Sequence, residues 1–163
     1  MMLEKFLIRR NLGLYGEMKF AELLKKRGFE PFFPYWDRGI DIVAILFKKN
    51  HRTFFAYQVK SRNKNKNKSF GDYWYNLKEK ALKENRSQYW VFAIFNKENN
   101  RFDFLRIPFK TIEKWIKQSR NNTKTNILSH DSDGWWFKVK RLGNKYISIP
   151  LKGSVKIDKY IFK

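Results

Sequence analysis

Four polar side chains in the first 60 residues have the chemistry of a metal-dependent hydrolytic site. They are Glu17, Asp41, Gln58 and Lys60. Carboxylate and amide oxygens are the ligands that magnesium prefers in proteins, and a lysine can orient water and neutralise developing negative charge. Each of the four falls at a position where the surrounding pattern calls for an apolar residue. Burying such groups separately is costly, so we expect them to converge on one site.

Glu17 lies on the apolar side of a helix predicted over residues 12–27. Residues three and seven positions further on, Phe20 and Leu24, share its face, whereas Glu22 lies on the opposite, polar side. Two structural explanations remain open for Glu17: a partly exposed apolar stripe, or an ion pair with a lysine.

Asp41, Gln58 and Lys60 fall on two predicted strands, 40–47 and 53–60, which a polar link joins as an antiparallel hairpin. Asp41 opens a strand that is apolar on both faces and is therefore predicted to be central. On the second strand Gln58 and Lys60 share one face. Taken alone, the Q-x-K pattern is weak, and a strand-edge aspartate bonded to nearby backbone would equally explain Asp41.

The charge of the chain points to a polyanionic partner. Thirty-six lysines and arginines against fifteen aspartates and glutamates give a net charge of +21, which favours nucleic acid first and an acidic membrane surface second. The candidate contacts to a DNA backbone are Arg62, Lys64, Lys66, Lys68, Lys138, Lys140 and Arg141.

Cysteine is absent, which excludes disulfides and thiolate chemistry, and the apolar runs are too short to span a bilayer. The opening residues carry no apolar segment of signal-peptide length. We therefore expect a soluble, cytoplasmic protein with no membrane partner, associated with the nucleoid if the source is prokaryotic.

The order of predicted elements indicates a mixed α/β (α+β) fold with a central mixed sheet flanked by helices. Besides the elements above, the patterns predict an extended edge segment at 29–36, helices at 74–86 and 108–119, strands at 88–95 and 102–107, and a hairpin of 134–141 with 145–150. We expect a core over residues 1–120 and a basic β extension over 121–163 that packs on it, supplying DNA contacts or an oligomer interface.

The stretch "YGEMKFAELLKKRGFEPFFPYWDRGIDIVAILFKKNHRTFFAYQVKSR" resembles the PD-(D/E)XK nuclease superfamily, whose pattern is a helical glutamate, a strand opened by aspartate, and a strand carrying E-x-K. Glu17, Asp41 and Lys60 fall on those places. The order of residues in the predicted helix, G-E…LL…G-F-E, is similar to that of archaeal Holliday-junction resolvases. Gln58 departs from the pattern, and this Q-x-K form resembles Mrr-type restriction enzymes, transposon end-cleaving nucleases and a branch of homing endonucleases.

The resemblance implies a restriction-endonuclease-like core and a magnesium site, in which manganese may substitute. Asp41 would be the central ligand, with the Gln58 side-chain oxygen and the Val59 carbonyl beside it. Glu17 would act directly or through water, and Lys60 would be the catalytic cation. Because glutamine lacks the glutamate's charge, we expect weaker metal affinity than at an E-x-K site.

The function that these observations favour is magnesium-dependent endonucleolytic cleavage of duplex DNA, of restriction or homing type. A Holliday-junction resolvase is the first alternative, and a non-catalytic DNA-binding module is the second. Cleavage of two strands favours two sites, so we expect a homodimer or a higher symmetric homo-oligomer.

Overall fold

The computed structural model describes residues 11–36, 39–62, 72–96, 99–120, 127–132, 134–142, 145–148 and 155–163. Its helices are α1 (Leu12–Lys26), α2 (Glu79–Lys83) and α3 (Phe109–Arg120). Its strands are β1 (Phe29–Phe32), β2 (Ile42–Lys48), β3 (His51–Arg62), β4 (Tyr73–Leu77), β5 (Tyr89–Asn96), β6 (Arg101–Pro108), β7 (Ser129–Asp131), β8 (Gly134–Leu142), β9 (Lys145–Ser148), β10 (Val155–Lys156) and β11 (Ile161–Phe162).

A six-stranded mixed sheet forms the centre of the fold, in the order β1-β2-β3-β5-β6-β11. The pairing of β3 with β5 is parallel, and the other pairings of this sheet are antiparallel. The longest strand, β3, therefore has β2 on one side and β5 on the other. The predicted mixed α/β fold with a central mixed sheet is confirmed.

A second sheet, in the order β10-β9-β8-β4, lies against the first, and β7 pairs with β8. Tyrosines of β4 join the two sheets: the Tyr73 hydroxyl donates to the Phe95 carbonyl (3.1 Å), and the Tyr75 hydroxyl donates to the Ala93 carbonyl (3.0 Å). Burial raises the pKa of Tyr75 well above its usual value, so the phenol remains a neutral donor.

Helix α1 covers the opposite face of the first sheet. Phe20 packs edge-to-face on Tyr57 of β3, with ring centroids 5.2 Å apart, and Leu24 is fully buried. The alternation along β5 separates the two halves of the core, because Val91 and Ala93 face α1 whereas Trp90 and Phe92 face the second sheet. On β3, Gln58 and Lys60 therefore lie on the face opposite α1.

The sequence patterns located most elements correctly. Helix α1 ends just before Gly28, whose φ of +82° is a conformation that glycine adopts without strain. The β2–β3 hairpin, edge strand β1, strands β5 and β6, helix α3 and the pairing of β8 with β9 all match the predictions.

The helix predicted over residues 74–86 is wrong in its first half. Tyr73–Leu77 forms strand β4, and only Glu79–Lys83 is helical. The segment alternates buried and half-buried aromatic residues, which suit a strand, and it pairs with β8.

The C-terminal residues join both sheets, since β8 and β9 belong to the second sheet and β11 pairs with β6 in the first. The boundary at residue 120 stays a prediction. Within the described part of the chain, no helix has both the length and the apolarity needed to cross a bilayer.

Candidate active site

The end of strand β2 creates an open edge on β3. The pairing of these strands ends at Ile42 and Tyr57, whereas β3 continues to Arg62, and among the described residues only β5 pairs with this last part. Backbone groups of β3 that point away from β5 beyond Tyr57 therefore need partners outside the β2 ladder.

Asp41 fills part of this gap. Its N–H donates to the Tyr57 carbonyl (2.9 Å), and its Oδ2 accepts a hydrogen bond from the N–H of Val59 (2.6 Å). The carboxylate thus continues the ladder that β2 has ended, as a strand-edge aspartate bonded to backbone would. In an extended strand the N–H and C=O of one residue point to the same edge, so the Val59 carbonyl also points toward Asp41.

Gln58 directly precedes Val59 on β3, and its side chain lies on the face of the strand opposite α1. It is only 8% exposed, and its Oε1 is buried with no hydrogen-bond partner. A buried amide oxygen without a partner costs about 1–3 kcal/mol. An amide oxygen in this state could take a cation as its partner.

Lys60 lies two residues further along the same face of β3. Its Nζ is 5.3 Å from the ring centroid of Trp90 on β5, which holds the cation against an aromatic face. Lys60 lines a cleft of about 690 Å³ together with Val59 and Ser61. The cleft is therefore bordered by Lys60 and by Val59, the residue whose N–H is hydrogen-bonded to Asp41.

Helix α1 borders this cleft with its first turn, where Leu12 and Gly13 form part of the lining. Glu17 is half-buried one turn further on, with exposure consistent with a partly exposed apolar stripe. Helical side chains lean toward the helix N-terminus, so that of Glu17 leans toward Gly13 and the cleft. Gly16, the residue before Glu17, lies directly against Ser61 of β3.

A second cleft of about 740 Å³ adjoins the first, with Lys78 and Ala81 lining both. Gln58 and Gly39 line the second cleft, so the predicted residues of β3 are divided between two connected spaces. Its other walls are strongly basic and come from the α2 region. The charged residues there are Lys78, Lys80, Lys83, Arg86 and Glu84.

These basic side chains were not among the sequence candidates for DNA contact. The stretch "LKEKALKENR" belongs to the helix predicted over residues 74–86, and no local pattern indicates that it lies over Gln58. The high lysine content of residues 77–86 was the sequence feature that could have indicated a DNA contact. The pairing of β4 with β8 is what places these residues at the site.

The predicted DNA contacts fall in different places. Arg62 lines the first cleft beside Lys60. Lys138 and Lys140 lie on the outer face of β8, and the Nζ of Lys138 is 4.8 Å from the ring centroid of Trp74, which also lines that cleft. Arg141 lies apart from these, in a smaller pocket with Asp103. Lys64, Lys66 and Lys68 lie outside the described residues.

Three groups near this end of β3 offer oxygen atoms of the kind that a hard cation binds. Asp41 supplies a carboxylate, Val59 a carbonyl pointing to the same edge, and Gln58 a buried oxygen that lacks a partner. Magnesium accepts such oxygen ligands and keeps several waters. In the described residues no group of three or more His, Cys, Asp or Glu side chains is placed to hold a metal ion.

No family model matches the chain, and a search of curated proteins found no significant match. The resemblance to PD-(D/E)XK nucleases therefore stays a prediction from the residues and their order in the sequence.

Proposed function

We propose that the protein is a magnesium-dependent endonuclease that hydrolyses phosphodiester bonds in DNA. The observation that supports the proposal is the placement of three polar groups along one end of β3: the Asp41 carboxylate on the Val59 N–H, the buried oxygen of Gln58 facing one cleft, and Lys60 lining the neighbouring cleft.

The chemistry follows from the roles of these groups. When bound, magnesium would polarise a phosphate oxygen and the water that attacks the phosphorus atom. Asp41, Gln58 and the Val59 carbonyl would hold the ion. Lys60 would orient the attacking water and neutralise charge on the phosphate oxygens in the transition state. Glu17 would act on the same water or ligand shell from the side of α1.

The basic walls support a nucleic-acid substrate. Arg62 lines the first cleft, Lys80 the second and Lys78 both, where they could contact phosphates flanking the cut. Duplex DNA of the restriction or homing type is the substrate that the sequence favours, and a four-way junction is the alternative. Two-strand cutting would then require two copies of the chain.

The test is a cleavage assay with plasmid, a synthetic four-way junction and single strands, in magnesium, manganese or EDTA. We expect cleavage in either metal and none in EDTA. The variants Asp41→Ala and Lys60→Ala should abolish cleavage, with losses of about a hundredfold or more, while DNA affinity largely survives.

Matched controls separate catalysis from a change in surface charge. Lys48→Ala removes a lysine at the far end of the same hairpin, and Glu22→Ala removes a carboxylate from the exposed side of α1. Both should cleave like the unmodified protein, whereas Glu17→Ala should not. DNA binding with no metal-dependent cleavage of any substrate would contradict the proposal and identify a binding module.

A further inference from the structure

Tyr35 and Trp36 are large aromatic side chains that contribute almost nothing to the core. They are 90% and 71% exposed, and they contact each other edge-to-face with ring centroids 5.2 Å apart. Two exposed aromatic rings in contact form a continuous apolar patch, and such patches are candidate binding surfaces.

Their place in the chain puts this aromatic pair at the entrance to the candidate site. Strand β1 runs toward the end of the sheet where Asp41 lies, because Phe32 pairs with Val43. Tyr35 and Trp36 continue from there. Gly39, three residues after Trp36, lines the cleft that contains Gln58. A span of three residues covers at most about 11 Å between Cα atoms.

The charge of the surroundings selects the partner. The cleft beside Gly39 is lined by Lys80, Lys83 and Arg86, and the whole chain carries +21, so a second copy meets repulsion here whereas a polyanion is attracted. Exposed aromatic rings beside a groove of basic residues are the combination that holds single-stranded nucleic acid, with phosphates on the cations and bases stacked on the rings.

We infer that Tyr35 and Trp36 stack unpaired bases of a nucleic-acid strand whose phosphates lie along the basic cleft. The inference rests on the proposed function and narrows its substrate: the preferred DNA has unpaired bases next to the cut, as in a bubble, a flap or an opened duplex, and a fully paired duplex is cut more slowly.

Binding without cleavage tests the stacking itself. In EDTA, fluorescence anisotropy would measure the affinity for an oligothymidine, a perfect duplex and a duplex with a central bubble. We expect Tyr35→Ala/Trp36→Ala to weaken binding to the oligothymidine and the bubble by roughly tenfold or more, and to change duplex binding less than threefold. Tyr35→Phe/Trp36→Phe keeps an aromatic ring at each position and should retain most of the affinity of the unmodified protein.

Phe47→Ala is the matched control, because Phe47 is also exposed but lies near the turn of the β2–β3 hairpin, paired with Arg52. It should leave all three affinities unchanged. Unchanged oligothymidine affinity in the double alanine variant would overturn the inference. A change in oligomeric state in that variant, measured by light scattering, would also overturn it by identifying a second copy as the occupant.

Cleavage in magnesium separates this inference from the proposed function. Faster cutting of the bubble than of the duplex, lost in the double alanine variant, supports both. Cutting that is insensitive to the two rings overturns the inference alone. Absence of cutting with ring-dependent binding preserved would leave the stacking surface in place and contradict the nuclease.

Discussion

Asp41 has a structural task and a proposed chemical task in the same carboxylate. Its Oδ2 accepts the Val59 N–H at 2.6 Å, which satisfies a backbone donor that β2 no longer reaches. Asparagine keeps an oxygen acceptor at this position but removes the negative charge that a cation needs. We therefore expect Asp41→Asn to change the free energy of unfolding by less than about 1 kcal/mol and to lower cleavage by about a hundredfold or more.

Asp41→Ala provides the comparison, because it removes both the acceptor and the charge. Leaving the Val59 N–H without a partner should cost about 1–3 kcal/mol in urea denaturation. If Asp41→Asn cleaved DNA at the unmodified rate while Asp41→Ala lost stability, the residue would be a strand-edge cap and nothing more.

Gln58 determines how much negative charge the site offers. Its Oε1 has no partner in a nearly buried side chain, and glutamate at this position would add a negative charge that a bound metal ion would offset most directly. We expect Gln58→Glu to lower the magnesium concentration for half-maximal cleavage by roughly tenfold, since a carboxylate binds this hard cation more strongly than an amide.

Stability gives a second measurement on the same variant. In EDTA the Gln58→Glu protein should melt at a lower temperature than the unmodified protein, and magnesium should raise its Tm more. Gln58→Met, which has a similar volume and no oxygen, should lose the metal dependence of Tm. Equal magnesium responses in all three proteins would show that residue 58 is not a ligand.

At the level of elements, the site depends on how closely α1 approaches β3. A Cβ at Gly16 would collide with the Ser61 hydroxyl and would lie 3.1 Å from the Ser61 Cβ and 3.4 Å from the Ala93 Cβ. Gly16→Ala should therefore push the helix from the sheet and destabilise the protein by about 1–3 kcal/mol, as overpacking does. Because Glu17 follows directly, cleavage should fall as well.

Gly13→Ala is the matched substitution one turn earlier in α1. Nothing lies within 4 Å of a Cβ there, so this variant should be as stable as the unmodified protein or slightly more stable. Combining Gly16→Ala with Ser61→Gly removes the colliding side chain and should recover part of the lost stability. Equal unfolding curves for Gly13→Ala and Gly16→Ala would contradict the close packing of α1 on Ser61.

The sequence predicted the elements whose partners are adjacent in the chain. Helical periodicity located α1, and alternating apolar residues located the β2–β3 hairpin, so the positions of Glu17, Asp41, Gln58 and Lys60 on these elements follow from local patterns. The division of the site between two clefts could not be predicted in this way. Local patterns predict which face of a strand a side chain lies on, but not which elements pack against that face.

The second sheet was the main feature that local patterns missed. Strand β4 pairs with β8, more than fifty residues away, and this long-range pairing turns an aromatic segment into a strand. Because α2 directly follows β4 in the chain, the same pairing places α2 on the Gln58 side of β3. The basic wall of the site is therefore a consequence of tertiary contacts that no short stretch of sequence contains.

For the whole molecule, the question is whether the net charge of +21 acts as a diffuse field or through the clefts. Each phosphate contact that is lost lowers the slope of log K against log salt by about 0.9 for duplex DNA. The exposed pair Lys80 and Lys83 lines the Gln58 cleft, and the ion pair of Lys83 with Glu79 (3.6 Å) is exposed and contributes little to stability.

We expect Lys80→Ala/Lys83→Ala to reduce the salt slope of DNA binding, measured by anisotropy in EDTA over a range of salt concentrations, by about 1.8. Lys25→Ala/Lys26→Ala removes the same charge from the end of α1, about 20 Å along the helix axis from its cleft-lining first turn. This control should leave the slope nearly unchanged. Equal reductions in both variants would mean that DNA is attracted by net charge alone, because only contacts in the cleft distinguish two lysines there from two lysines elsewhere.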